Sequence, residues 1–236
     1  MLKKKYCICI IPARGGSKRI KKKNIKSFFG KPMIAYAINN AKKSNCFNKI
    51  IVSTDDKEII KVSKKYGADV LFVRPKRLSD DHTPLAPVIQ HAIDEIKRFN
   101  IKPGLVCVLT ATSPLLNYKH LIKSKKIFQK SKCKFLVSVN KYDYPIQRAL
   151  VLGKNDNIRM YNPKRINKRS QDLNDTFHDA GQFYWGKPIN FTSNAKILSD
   201  NTKAYLISGL ESVDIDTKDD WDRAKTLFKT LKPQKK

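Results

Sequence analysis

Across the first 140 residues, short apolar, β-branched runs alternate with stretches of helical period. The runs lie at 6–11, 50–53, 70–73, 105–109 and 135–139. Between the first two, Pro32 opens a stretch in which Ile34, Ala37, Ile38 and Ala41 recur on one face. Residues 56–66 repeat the pattern with Ile59, Val62 and Tyr66, stopped by Gly67. A third helix carries Leu85, Val88, Ile89, Ala92, Ile96 and Phe99, and a fourth is expected over 118–129. This βαβ rhythm predicts an α/β fold with a mostly parallel sheet flanked by helices. After Asn140 the rhythm breaks into a Pro-, Asn- and Arg-rich stretch to about His178, longer than a connection inside a compact domain needs. Strand-like runs return at 181–185 and 204–207, and a closing helix is expected over 218–231. The expected organisation is a single domain over 1–232, with an excursion at about 141–190, and a tail at 233–236.

The chain has 49 Lys and Arg against 20 Asp and Glu, a net charge of +29, which by itself invites a nucleic-acid partner. The excess is mostly lysine, spread along the whole chain, and no recognition motif accompanies it. An anionic small substrate fits the same field, so no nucleic-acid partner is expected, and a non-catalytic basic nucleic-acid-binding protein is kept as the rival from another class. Five scattered cysteines form no C-x-x-C pair and read as reduced core residues. No apolar run is long enough to span a membrane, and a cytoplasmic protein is expected.

The first run delivers Pro12, Ala13, Arg14, Gly15, Gly16, Ser17, Lys18 and Arg19, then a lysine run and Asn24, where open α/β sheets bind ligands. Two glycines let backbone approach a polyanion, and Arg14, Lys18, Arg19 and Lys23 can neutralise it. This outlines a triphosphate site, against the plainer reading of a tight turn and a solvated basic loop. It is neither a P-loop nor a dinucleotide turn. Further on, Asp214 and Asp216 are two apart between Val213 and Ile215, so an extended backbone sends both carboxylates to one side. Such a pair suits Mg2+, which binds through one or two carboxylates plus substrate phosphates. The same acids, with Thr217, Asp219 and Asp220, also suit the start of the closing helix. On the residues alone both readings stand.

The loop, followed by Phe29-Gly30-Lys31-Pro32-Met33-Ile34, resembles the opening signature of the CMP-sialic acid synthetases and their relatives. The match continues through Ser53-Thr54-Asp55-Asp56, Arg74-Pro75, Thr112-Ser113-Pro114 and Asp214-Ile215-Asp216-Thr217, in order and spacing, over nearly the whole chain. The resemblance implies a Rossmann-like nucleotidyltransferase fold and transfer of CMP from CTP to the anomeric oxygen of a nine-carbon acidic sugar. It implies nucleotide contacts by Ala13, Arg14, Gly15, Gly16, Ser17, Lys18, Asn24, Arg74, Asp81 and Thr83. Catalytic charge neutralisation falls to Arg14 and Lys23, and Mg2+ to Asp214 and Asp216. The excursion resembles the family segment that reaches a second subunit, so a homodimer is expected. The basic residues Arg159, Lys164, Arg165, Lys168 and Arg169 either line a partner's site or solvate a loop.

Residues 144–150 (YPIQRAL) and 178–186 (HDAGQFYWG) differ from what neuraminic acid enzymes carry and resemble the branch that acts on pseudaminic acid. N-acetylneuraminic and legionaminic acids are the alternatives. The implied sugar contacts are Thr110, Thr112, Gln147, Arg148, His178, Asp179, Gln182 and Tyr184. Gln182 and Tyr184 alternate with Phe183 and are expected to point into the pocket while Phe183 packs behind. His178 is a candidate general base, against loss of the hydroxyl proton to water. Where the sialic acid enzymes carry Gln-Pro, this chain has Thr110-Ala111, and a hydroxyl offers one donor where an amide offers two.

Overall fold

The computed structural model describes residues 5–163 and 169–231. Its six-stranded sheet is built from β1 (Tyr6–Pro12), β4 (Lys49–Ser53), β5 (Pro103–Leu109), β6 (Phe135–Lys141), β9 (Phe177–Gly186) and β10 (Thr202–Leu206), in the order β10-β6-β9-β5-β1-β4. β1 runs parallel to β4 and β5, and β10 parallel to β6; β9 alone runs antiparallel to its neighbours β5 and β6. Two short ladders stand apart, β2 (Ser27–Phe28) with β3 (Lys31–Pro32), and β7 (Leu150–Leu152) with β8 (Ile158–Met160).

Strand alternation sorts the core into two layers. From β1, Cys9 and Ile11 join one apolar cluster and Ile8 and Ile10 the other. The first layer is covered by α1 (Met33–Ser44), α2 (Lys57–Lys65) and α4 (Tyr118–Lys130), through Ile34, Ala37, Ile38, Ile59, Leu121 and Phe128. The second is covered by α3 (Leu85–Arg98), through Ile89, Ala92, Ile93 and Ile96. The closing helix α5 (Lys218–Leu231) packs Trp221, Ala224 and Phe228 onto Phe28 and Tyr36 in a third cluster that also holds Val213 and Ile215. The expected α/β architecture, mostly parallel and flanked by helices, is the one observed.

Helix boundaries follow local chemistry. Asp56 caps α2 by accepting the Ile59 amide at 2.9 Å, and Gly67 takes φ +88° just past its end. Thr217 and Asp220 form a reciprocal cap on α5: the Asp220 carboxylate accepts the Thr217 amide at 2.8 Å and the Thr217 hydroxyl accepts the Asp220 amide at 3.2 Å. The expected strand at 70–73 is corrected. Only Asp69 bridges Ile51 on the edge strand β4, and Val73 is 62% exposed, so this apolar run pads the sheet edge without extending it. The cysteines are free thiols, with Cys9, Cys46 and Cys107 buried. No helix among the described residues is long and apolar enough to cross a membrane.

Candidate active site

The loop after β1 is held against the start of the next βα unit. Ala13 is buried and donates its amide to the Ser53 carbonyl at 2.9 Å. Gly15 donates to the Asp55 carboxylate at 3.0 Å, and a Cβ there would lie 2.8 Å from the Cβ of Asp56, so the close approach admits only glycine. Gly16 has open space around it. The Ser17 hydroxyl accepts the Lys23 amide at 2.9 Å, and the Asn24 side chain donates to the Arg14 carbonyl at 2.9 Å. Ser17 and Asn24 therefore shape the loop from inside.

A cavity of about 310 Å³ opens beside it, lined by Arg14, Lys23, Asn24, Arg74, Asp80, Asp81, Thr83, Thr110 and Thr112 among others. Seven residues from before β5 thus meet two from just after it. Arg74 is 4% exposed; its Nε donates to Ser79 at 3.1 Å, one terminal nitrogen lies 3.7 Å from Asp55, and that nitrogen has no hydrogen-bond partner. Burial lowers the guanidinium's pKa, and the Asp55 carboxylate works against that shift. Asp55 was missed from the sequence, although it follows β4 in the quartet Ser53-Thr54-Asp55-Asp56.

The cations are already paired. Arg14 meets Asp81 at 2.8 Å and donates to the Asp80 carbonyl, and Lys18 meets Asp81 at 2.6 Å. The Lys18 hydrogen bond comes first among the causes that hold the Asp81 carboxyl below its ordinary range. Thr83 is tied to Asp80 through its amide and its hydroxyl. On the far side, Lys23 meets Asp216 at 3.0 Å and Arg19 meets it at 2.9 Å. Partial burial works to raise the Asp216 carboxyl, but Lys23 and Arg19 outweigh it and hold it low.

Asp214 differs. No hydrogen bond or ion pair of its side chain is found among the described residues, and its carboxyl is raised, first by desolvation and then by the Asp216 carboxylate. Val213 and Ile215 are buried in the third cluster while Asp214 is exposed and Asp216 half-exposed, so the two carboxylates share one face. The segment belongs to no strand. Two carboxylates on one face, Asp216 paired with cations and Asp214 beside it, offer oxygens of the kind Mg2+ shares with phosphates. Among the described residues no group of three or more His, Cys, Asp or Glu is arranged to hold a metal alone.

On β9 the expected alternation is corrected at Gly181, whose φ of +63° makes a bulge where the register with β6 shifts. Gln182 is 1% exposed and turned inward, donating to the Ala180 carbonyl at 2.8 Å and the Val213 carbonyl at 3.4 Å. Phe183 lies in the first core layer. The Tyr184 hydroxyl donates to Asp179 at 2.7 Å, and Asp179 also accepts the Gly181 amide at 2.8 Å, so both carboxylate oxygens brace the bulge. Burial, then Asp179, pushes the Tyr184 phenol up. His178 is exposed, 2.9 Å from the Asp179 carbonyl, its ring 4.8 Å from that of Tyr142. The Thr110 amide donates to the Gln182 carbonyl at 2.9 Å. In the excursion Gln147 donates to the Asn174 carbonyl at 3.1 Å and Arg148 is exposed; neither lines the cavity beside the loop. Arg159 is exposed on β8 and Arg169 is exposed, while Lys164, Arg165, Lys168 and the tail at 233–236 lie outside the described residues.

The chain is a nucleotidyltransferase, a class in keeping with its mostly parallel sheet and the basic loop beside its cavity. The chain belongs to the cytidylyltransferase family, whose model, described as Cytidylyltransferase, matches residues 8–207. It is 44% identical over 222 residues, 94% of this chain and 96% of the relative, to the pseudaminic acid cytidylyltransferase of Campylobacter jejuni subsp. jejuni serotype O:23/36 (strain 81-176). It is 29% identical, over 94% of this chain and 95% of the relative, to the CMP-N,N'-diacetyllegionaminic acid synthase of Legionella pneumophila. Among solved structures, a CMP:2-keto-3-deoxy-manno-octonic acid synthetase complexed with CTP superposes with a TM-score of 0.68 at 14% identity, over 95% of this chain and 99% of that one. At that identity the likeness is one of fold.

Proposed function

We propose that this enzyme transfers CMP from CTP to the anomeric oxygen of pseudaminic acid, releasing pyrophosphate, as a cytoplasmic homodimer that uses Mg2+. The observation that carries the sugar is the 44% identity, along 94% of the chain, to a pseudaminic acid cytidylyltransferase, against 29% to a legionaminic acid synthase. In the reaction the anomeric oxygen forms a bond to the α-phosphorus and the bond from that phosphorus to the bridging oxygen of the β-phosphate breaks. The hydroxyl proton leaves to water or to His178.

Positioning and charge neutralisation do most of the work in such a transfer. Arg14 and Lys23 stand on either side of the loop and neutralise the α-phosphate and departing pyrophosphate. Gly15, Gly16 and Lys18 approach the phosphates. Arg74, buried with a terminal nitrogen unpartnered, faces the nucleotide from the cavity wall with Thr83, and Asn24 and Ser17 hold the loop that presents the cations. Asp214 and Asp216 would hold Mg2+, which when bound supplies Lewis-acid neutralisation of phosphate oxygens. Thr110 and Thr112, in the cavity wall, are the residues assigned to the sugar there, and Tyr184 and Asp179, bonded to each other on β9, are assigned to it outside that lining.

Dimer formation rests on the β7–β8 ladder. Leu150 pairs with Met160 and Leu152 with Ile158, which puts these four on one face, and Leu150, Leu152 and Ile158 are 57%, 67% and 65% exposed. A second copy of the same ladder is the occupant proposed for that face. The deciding experiment supplies purified enzyme with CTP, Mg2+ and one sugar acid at a time and follows pyrophosphate. Turnover with pseudaminic acid well above that with N-acetylneuraminic or legionaminic acid is expected, and a preference for either of the others overturns the assignment. Steeply salt-dependent nucleic-acid binding with no turnover on any sugar would favour the non-catalytic rival.

A further inference from the structure

The backbone on both sides of Asp214 is held by side chains from elsewhere in the fold. The Ile215 carbonyl accepts from the Lys23 ammonium, and the Val213 carbonyl accepts from the Gln182 amide at 3.4 Å. Beneath the carboxylate lies the Gly181 bulge. A Cβ on Gly181 would stand 3.2 Å from the carboxyl carbon of Asp214 and 3.4 Å from each of its oxygens, so the carboxylate rests on bare backbone. The loop before the segment is tied down by a second set of bonds. Ser212 donates to the Asn140 side chain at 2.9 Å, and Asn140 donates to the Ile207 carbonyl at 2.7 Å.

Gln182 joins three parts of the site at once. Its backbone carbonyl accepts the amide of Thr110, at the end of β5 and in the wall of the cavity. Its side-chain nitrogen binds the Ala180 carbonyl on the bulge and reaches the Val213 carbonyl. Two carbonyls facing the amide fix which end is nitrogen. The other end, Oε1, is buried without a hydrogen-bond partner. A buried polar group left unsatisfied is rare and calls for a reason. A leucine or methionine would fill the same space with no orphaned oxygen, but would sever the link to Val213.

We infer that Gln182 and Gly181 are positioning residues for Asp214: the amide sets the carboxylate segment at a fixed distance from the nucleotide cavity, and the bare bulge gives the carboxylate its seat. This rests on the proposed Mg2+ role of Asp214 and Asp216, and assigns to the bulge a task that a sugar-contacting strand would not need. Residues that orient metal ligands from behind alter metal affinity when changed. They need not touch nucleotide or sugar.

The test uses the full-length protein and the substitutions Gln182→Met and Gly181→Ala, with Mn2+ as the probe. Free Mn2+ is counted by electron paramagnetic resonance in the presence of CTP, CTP binding is measured separately without metal, and folding is checked by circular dichroism and thermal melting. The expected result is Mn2+ affinity lowered about tenfold in each variant, a matching rise in the Mg2+ concentration for half-maximal turnover, and unchanged metal-free CTP binding. Should Gln182→Met fail to fold, Gly181→Ala reports on the same seat by an independent route. If the wild type binds Mn2+ with CTP and folded variants bind it equally well, the positioning role is overturned while the metal reading stands. If the wild type binds no Mn2+, the metal reading falls and the positioning role with it. Equal losses in metal-free CTP binding and in Mn2+ affinity would mean a general collapse of the site, and would also overturn the proposal.

Discussion

The loop at residues 13–24 and the excursion at 142–176 are both polar, basic and irregular in sequence, yet they are held in opposite ways. In the loop almost every cation has a carboxylate partner from another part of the chain: Arg14 and Lys18 on Asp81, Arg19 and Lys23 on Asp216, Lys22 on Glu58. The backbone beneath is fastened by Ser17 and Asn24 and seated against α2. In the excursion Tyr144 and Tyr161 are 84% and 73% exposed, and the β7–β8 ladder turns an apolar face outward. A single chain thus contains the partners that organise its basic loop, while its excursion keeps apolar residues exposed. Stored charge holds the first region, and unspent apolar area marks the second.

The severest way to break the charged end is Asp216→Ala. It removes the acceptor shared by Lys23 and Arg19 together with half of the carboxylate pair. Pyrophosphate release dependent on Mg2+ should vanish, a loss beyond the ~10²–10³-fold typical of a single electrostatic donor. The melting temperature should change little, because Asp216 lies at the surface and α5 keeps its Thr217–Asp220 cap. Near-normal turnover in a steady-state assay would remove the carboxylate pair from the mechanism.

The excursion is broken by Leu152→Asp with Ile158→Asp. These residues are opposite one another on the exposed face, so circular dichroism of the protomer should be unchanged. Fully burying a side chain of this kind is worth about 1.5–3 kcal/mol, and replacing two per subunit with charge should leave a monomer by light scattering. A variant that stayed dimeric would place the interface elsewhere. Turnover of the monomer then tells whether the excursion only joins subunits or also completes the site.

How far each region was legible in the sequence follows from the same contrast. The helices α1, α3, α4 and α5 could be read nearly to their ends, because each buries a stripe of 3.6-residue period, α1, α3 and α4 against the sheet and α5 in the third cluster. The loop was legible as chemistry, since Arg14, Lys18 and Lys23 cluster within ten residues. Its internal partners were not, because Asp81 and Asp216 lie far along the chain and only the fold brings them there. The run at 70–73 misled, since β-branched residues look alike whether they extend a sheet or pad its edge. The strand direction of β9 left no local mark. Gly181 was the signal that alternation would fail, for a glycine inside a strand pattern marks a bulge. It explains why Gln182, expected in the pocket, is buried beside Val213.

The finest distinction concerns Asp81, which the resemblance places among the nucleotide contacts. In this structure its two oxygens occupy Arg14 and Lys18, the cations that triphosphate would claim. If CTP's phosphates bind these cations, a carboxylate in that position would be an internal stand-in for phosphate, pairing the loop's cations until a better anion arrives. CTP must then displace it, and Asp81→Asn should bind CTP more tightly, not more weakly. Because Asp81 is solvent-exposed and such pairs are screened, the gain should be small, up to about fivefold at low salt, and it should shrink as salt rises. Isothermal titration at two ionic strengths reads both effects. Weaker binding in the variant would mean that Asp81 holds the nucleotide directly, and that the loop's cations wait for CTP unopposed.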